Sequence, residues 1–225
     1  MKYIMTFGVM ALGVIAATSA EAATISWADW TDSNSRSASG TIDGITLGFT
    51  GNIYPAAQTN GGANYWDVNS SIYTAPGLDN PPPDSDIIRL TGGTGTGTQT
   101  LVFSESVVNP VMAILSLGTP HLLVSYDFDT PFTILNQGTG FWGGTNTSLS
   151  VGSPNQLLGS EGHGLIQFQG KIDRISWTIP TAEYWHGFTV GVIESTESVP
   201  EPTVSILSFL SLSVVAGLTL QRRRQ

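Results

Sequence analysis

The chain of 225 residues contains no cysteine. That absence excludes disulfide scaffolds, thiol nucleophiles and cysteine-ligated zinc, so stability has to come from burial. Basic residues are nearly as scarce: eight Lys and Arg stand against seventeen Asp and Glu, for a formal charge of −9. Arg222, Arg223, Arg224 and Lys2 account for half of those cations. Between Ala23 and Glu201 only Arg36, Arg89, Lys171 and Arg174 oppose sixteen acids, and that stretch carries −12. Phosphate binding needs a basic surface, so nucleic acid is excluded as a partner and an anionic membrane surface is disfavoured. Three histidines, His121, His163 and His186, are too few and too scattered to define a metal site by spacing. There is no G-x-S-x-G elbow and no HExxH helix, and the Gly-Thr alternation of 92–98 lacks the lysine and the spacing of a phosphate loop. No catalytic residues are expected.

Helical periodicity is also missing between the two ends of the chain. Charged residues make up only 11% of the sequence while glycine supplies 26 positions, which is the composition of a turn-rich, neutral-polar β protein. Short runs with a period of two, or with continuous β-branched character, follow one another between Gly, Pro, Asn and Asp. They cover 24–30, 41–50, 86–90, 98–104, 111–117, 122–128, 132–136, 164–169, 172–179 and 188–193. In 122–128 the residues Leu122, Val124, Tyr126 and Phe128 share a face, and in 172–179 Ile175, Trp177 and Ile179 do. Roughly ten strands of this kind predict an all-β, antiparallel sandwich of jelly-roll type over residues 23–198, with an antiparallel barrel as the alternative. The segment 55–83, with its Asn-Gly-Gly, Pro-Gly and triple proline, reads as a surface loop.

The two ends are apolar. Residues 1–22 combine Lys2, an apolar run from Ile4 to Ala17 and an Ala20-Glu21-Ala22 cleavage site, and read as a secretory signal peptide. At the other end, Thr203 to Leu220 is eighteen residues without a charge, about 27 Å long as a helix and so just long enough for a hydrocarbon core. A basic tail, 221–225, follows at once, and the positive-inside rule assigns Arg222, Arg223 and Arg224 to the cytoplasm. Val199-Pro200-Glu201-Pro202 precedes the helix as a stiff, extended segment. Pro-Glu-Pro, one short apolar helix and a terminal arginine cluster together resemble the PEP-CTERM sorting domain of exported Gram-negative proteins, over residues 199–225. The resemblance implies that Pro200, Glu201 and Pro202 form the recognition motif for a membrane-embedded exosortase. It implies that residues 203–220 anchor the chain transiently in the inner membrane, and that the arginines act as a cytoplasmic stop. The mature body is then delivered to the cell surface or the extracellular matrix of a polysaccharide producer.

For the body itself the expected role is structural or binding. Aromatic residues in Gly- and Asn-rich loops suggest a carbohydrate-binding module for extracellular polysaccharide as a second reading. Trp142, Tyr184 and Trp185 are the candidate stacking residues, provided they are exposed and coplanar; otherwise Trp142 and Trp185 belong to the core with Trp177. Asp127 and Asp129, two apart at a strand end, are candidate calcium ligands, and Asp84 and Asp86 repeat the spacing. A secreted hydrolase is the third reading. It requires a cleft with converging acids or a histidine, and the sequence singles out no pair.

Overall fold

A computed structural model describes residues 22–83 and 86–194. The expected signal peptide 1–22 up to its last residue, the expected sorting motif Pro200, Glu201 and Pro202, the apolar stretch 203–220, Arg222 to Arg224 and Asp84 all lie outside the described residues. Among the described residues no helix is long and apolar enough to cross a membrane.

Fifteen strands are found among the described residues. They are β1 (Ala23–Trp27), β2 (Asp29–Ser33), β3 (Ser37–Ile42), β4 (Ile45–Thr50), β5 (Leu78–Asp79), β6 (Ile88–Leu90), β7 (Thr98–Val108) and β8 (Val111–Leu117). The rest are β9 (Val124–Phe128), β10 (Phe132–Gln137), β11 (Leu149–Val151), β12 (Gln156–Gly159), β13 (Gly162–Phe168), β14 (Lys171–Thr178) and β15 (His186–Ile193). They form two sheets, a sandwich as the alternation predicts. One sheet runs β10-β13-β8-β15-β1-β5, with β6 sharing an edge of β15, and the other runs β11-β12-β9-β14-β7-β4-β3-β2. All strand pairs are antiparallel except β1 with β5.

Alternation explains the eight-stranded sheet. In β7 and β14 one face is buried and the other is solvated, so Leu101, Phe103, Ile175 and Trp177 point inward while Thr98, Ser104 and Arg174 point out. Facing them, Phe188, Phe168 and Phe132 of the second sheet close an aromatic core. Trp177 meets Phe188 edge-on at 5.2 Å and Phe128 meets Phe168 at 5.0 Å.

The seven-stranded sheet is different, because every residue of β8 and all but one of β13 and of β15 are buried. A strand buried on both faces needs a cover on each. The second cover is the segment 51–83, and it corrects the expectation of a surface loop. Trp66, Ile72 and Tyr73 from this segment pack with Ile25, Val111, Ala113, Leu115 and Leu165 on the outer face of the sheet. Asn136 fastens it by donating to Ser71 O and Thr74 O, both at 2.9 Å. At its far end Trp27 Nε1 donates to Asn80 O at 2.7 Å.

Smaller departures follow the same physics. His121 and Leu122 precede the strand instead of opening it, and Leu122 is exposed. The short strands β2, β3, β11 and β12, rich in Ser, Gly and Asp, carry no strong pattern and were not expected as separate elements.

Candidate functional site

Phe141 and Trp142 occupy the tip of a tight turn. Gly140 N donates to Gly143 O at 2.7 Å and Gly143 N returns to Gly140 O at 3.2 Å. Gly143, with φ of 114°, takes a conformation closed to most side chains. The turn lifts both rings into solvent, with Phe141 39% and Trp142 45% exposed, so Trp142 is not a core residue. Tyr65, from the cover segment, stacks on Trp142 at 5.2 Å and 26°. Trp185, just before β15, meets Trp142 at 4.6 Å and 64°. Trp142 and Trp185, candidates from the sequence, are thus brought together. The condition of coplanarity is met only between Tyr65 and Trp142, since Phe141 and Trp185 stand edge-on.

Tyr184 is placed elsewhere. It is 73% exposed and pairs with Tyr54, ring centroids 5.4 Å apart and hydroxyls 3.1 Å apart. The hydrogen bond to Tyr54 raises its phenol pKa.

The base of the turn rests on a buried polar cluster. A Cβ at Gly140 would overlap the His163 ring, and one at Gly144 would meet the carbonyl of Glu161, so both glycines permit the close approach. His163 is fully buried in β13, not in a Gly-rich turn. Its partner strand β8 carries a bulge: Gly162 pairs with Leu117 and Gly164 with Ile114, so Leu115 and Ser116 together oppose His163. Ser116 therefore has φ of 55°. Its N–H donates to His163 Nδ1 at 3.3 Å, and its Oγ donates to Glu161 Oε1 at 2.6 Å. Nδ1 as acceptor assigns the proton of the neutral imidazole to Nε2, which faces Glu161 Oε1 at 3.4 Å. Tyr73 Oη lies 3.4 Å from the same Nδ1, and burial pushes its pKa well above the usual phenol value.

Glu161 links this cluster to the surface. Its side chain is nine-tenths buried. It lines a cavity of about 330 Å³ together with Thr145, Thr147, Ser148, Ser160, Gly144 and Pro120. Glu161 is itself in the left-handed region, φ 57°, a conformation that costs a non-glycine residue of order 1–3 kcal/mol and that the surrounding packing must hold. Sequence reasoning missed Glu161, Ser116 and Tyr73. The available signal was Glu161-Gly162-His163-Gly164, whose small residues allow a bulged, close-packed crossing.

The arrangement offers flat rings for apolar faces, and hydroxyls with one carboxylate for polar edges. It does not form a nucleophile relay, because Ser116 Oγ donates to the carboxylate and not to the imidazole. Asp127 and Asp129 line a separate hollow of about 270 Å³ beside Thr98, Ser176 and Thr178. Asp127 accepts from Gln156 Nε2 at 2.8 Å, and Asp129 accepts from Ser176 N at 2.9 Å. Among the described residues no three metal-ligating side chains converge. His186, buried between the sheets at the head of β15, contacts Glu183 at 2.7 Å. Comparisons of the chain with family models, with curated proteins and with solved structures return no match.

Proposed function

We propose that the protein is an exported cell-surface or matrix component whose sandwich binds extracellular polysaccharide, without catalysis, through the aromatic turn Phe141–Trp142 and the hydroxyl-lined cavity at its base. The observation that carries the reading is Trp142. An indole nearly half exposed, stacked on Tyr65 and braced by Trp185, costs apolar exposure that a monomer otherwise avoids, and clustered exposed aromatics mark a binding surface. Stacked rings match the apolar faces of pyranoses, while Thr145, Thr147, Ser148 and Ser160 match their hydroxyls.

The strand order supports a jelly roll within the sandwich: β1-β15-β8-β13 lies in one sheet and β7-β14-β9-β12 in the other, as two Greek keys require. Export rests on residues 1–22 and on the resemblance of 199–225 to a sorting domain. A purely structural role is the second reading, favoured by the edge-on packing of Phe141 and Trp185, which leaves one flat platform and not a strip.

The test is affinity electrophoresis in gels cast with neutral polysaccharides. Retardation of the wild-type protein is expected, with its loss, at unchanged melting temperature, in Trp142→Ala. An absence of retardation on every polymer would leave the structural reading.

A further inference from the structure

We propose that the cavity at Glu161 selects an ammonium-bearing sugar residue, a hexosamine with a free 2-amino group, at one position of the bound chain; this rests on the polysaccharide reading above. Glu161 presents a carboxylate whose two oxygens have different surroundings. Oε1 is occupied by the Ser116 hydroxyl at 2.6 Å and faces His163 at 3.4 Å. Oε2 takes no hydrogen bond among the described residues, and the carboxylate lines the cavity.

Among the described residues no lysine or arginine lines this cavity. The body's four cations are held elsewhere: Lys171 and Arg174 are on β14, Arg89 donates to Ala56 O, and Arg36 lies in the turn between β2 and β3. His163, the cationisable side chain that contacts Glu161, is neutral in the tautomer its Ser116 contact assigns. The cavity therefore presents a carboxylate that no lysine or arginine among the described residues neutralises. A ligand ammonium supplies the missing partner by a charge-assisted hydrogen bond, an uncharged hydroxyl supplies a weaker one, and a uronate carboxylate is repelled.

Size and surroundings narrow the ligand further. About 330 Å³ is at the small end of ligand sites and suits a single ring. The flanking hydroxyls of Thr145, Thr147, Ser148 and Ser160 complement ring hydroxyls. Two non-glycine residues in left-handed conformation, Ser116 and Glu161, are held together by their mutual hydrogen bond, so the carboxylate is fixed before any ligand arrives.

The experiment compares three β-1,4-linked tetrasaccharides that differ only at carbon 2: free amine, N-acetyl and hydroxyl. Calorimetry with the full chain is expected to give about tenfold tighter binding of the amine at low salt. Glu161→Gln, checked for an unchanged circular dichroism spectrum, is expected to level the three. Thr147→Lys, at the exposed rim and clear of the buried cluster, is expected to do the same by supplying an internal cation. Asp129→Asn controls for general acidity and keeps the preference. Equal affinities in the wild type, or a preference that survives both Glu161→Gln and Thr147→Lys, would overturn the inference. Binding of the hydroxyl oligomer that Trp142→Ala abolishes, without amine preference, would leave the platform standing while removing the hexosamine. Failure of all three to bind would also overturn the inference, and the polysaccharide reading would then rest on the affinity gels alone.

Discussion

Two phenols buried in different layers tie the stability of this protein to alkaline pH. Tyr126 lies between the sheets against Trp177 and His186, and Tyr73 belongs to the cover segment, packed against Trp66. Burial raises the pKa of both, and the negative charge of Glu183 adds to the effect at Tyr126. In the unfolded chain each ionises near the ordinary phenol value, so their contribution is complete below about pH 10 and declines as pH rises beyond it. Each is expected to cost about 1.4 kcal/mol of stability per pH unit above that point. Denaturant titrations across the alkaline range check this, with phenolate absorbance showing Tyr73 and Tyr126 titrating only as the protein unfolds. Absorbance that rises fully before the fluorescence transition would contradict it. The neighbouring Glu183 and His186 side chains are both buried and meet at 2.7 Å, so truncating either one leaves a buried polar group of the other without that contact, which is costly.

At the scale of elements, the informative contrast is between strands the sequence announces and a cover it conceals. Period-two runs announce β7 and β14, because one face of each is wet. Trp177 falls on the inward face of β14, and it is buried there. The run Val111 to Leu117 announces more: a strand with six apolar residues among seven is dry on both sides, and the sandwich interior covers only one. The second cover was legible as a requirement but not as a location, since 51–83 reads locally as turns and prolines, and its three anchoring side chains gain partners only in three dimensions. The candidate site follows the same rule. The Phe141–Trp142 turn is readable from its flanking glycines, whereas Glu161 and Ser116 meet only because a bulge in β8 turns Ser116 toward them. Trp66→Ala is accordingly expected to destabilise the protein by about 3–5 kcal/mol despite its place in a nominal loop. Val68→Ala, two residues on and 57% exposed, is expected to stay within about 0.5 kcal/mol. Urea unfolding of the two variants makes the comparison; a small effect at Trp66 would mean that the cover is not part of the cooperative unit.

For the molecule as a whole, β15 relates the proposed binding surface to the ends of the body. Ile193 pairs with Ile25, Glu194 N donates to Thr24 O at 2.9 Å, and Ser26 Oγ donates to Glu194 Oε1 at 2.6 Å, so the described body begins and ends at the same end of the paired strands β1 and β15. Trp185 stands at the opposite end of β15, about 30 Å away at the rise of an extended strand. The residue to which any C-terminal tail is covalently joined is thus remote from Trp142, Tyr65 and the Glu161 cavity. If the tail serves only delivery, sugar binding does not depend on whether the tail has been removed. A Pro200→Ala, Pro202→Ala double variant in the native host is expected to stay in the membrane fraction with Arg222 to Arg224 intact. The wild type is expected outside the cell without those arginines. Both forms, the first in detergent, are expected to bind the same oligosaccharide with affinities within about twofold, because the proposed sugar contacts lie a full strand length from Glu194. Peptide mass mapping and calorimetry on the two fractions decide the matter: intact arginines on the released protein would end the sorting reading, and a large affinity difference would place part of the binding surface at the tail end of the sandwich.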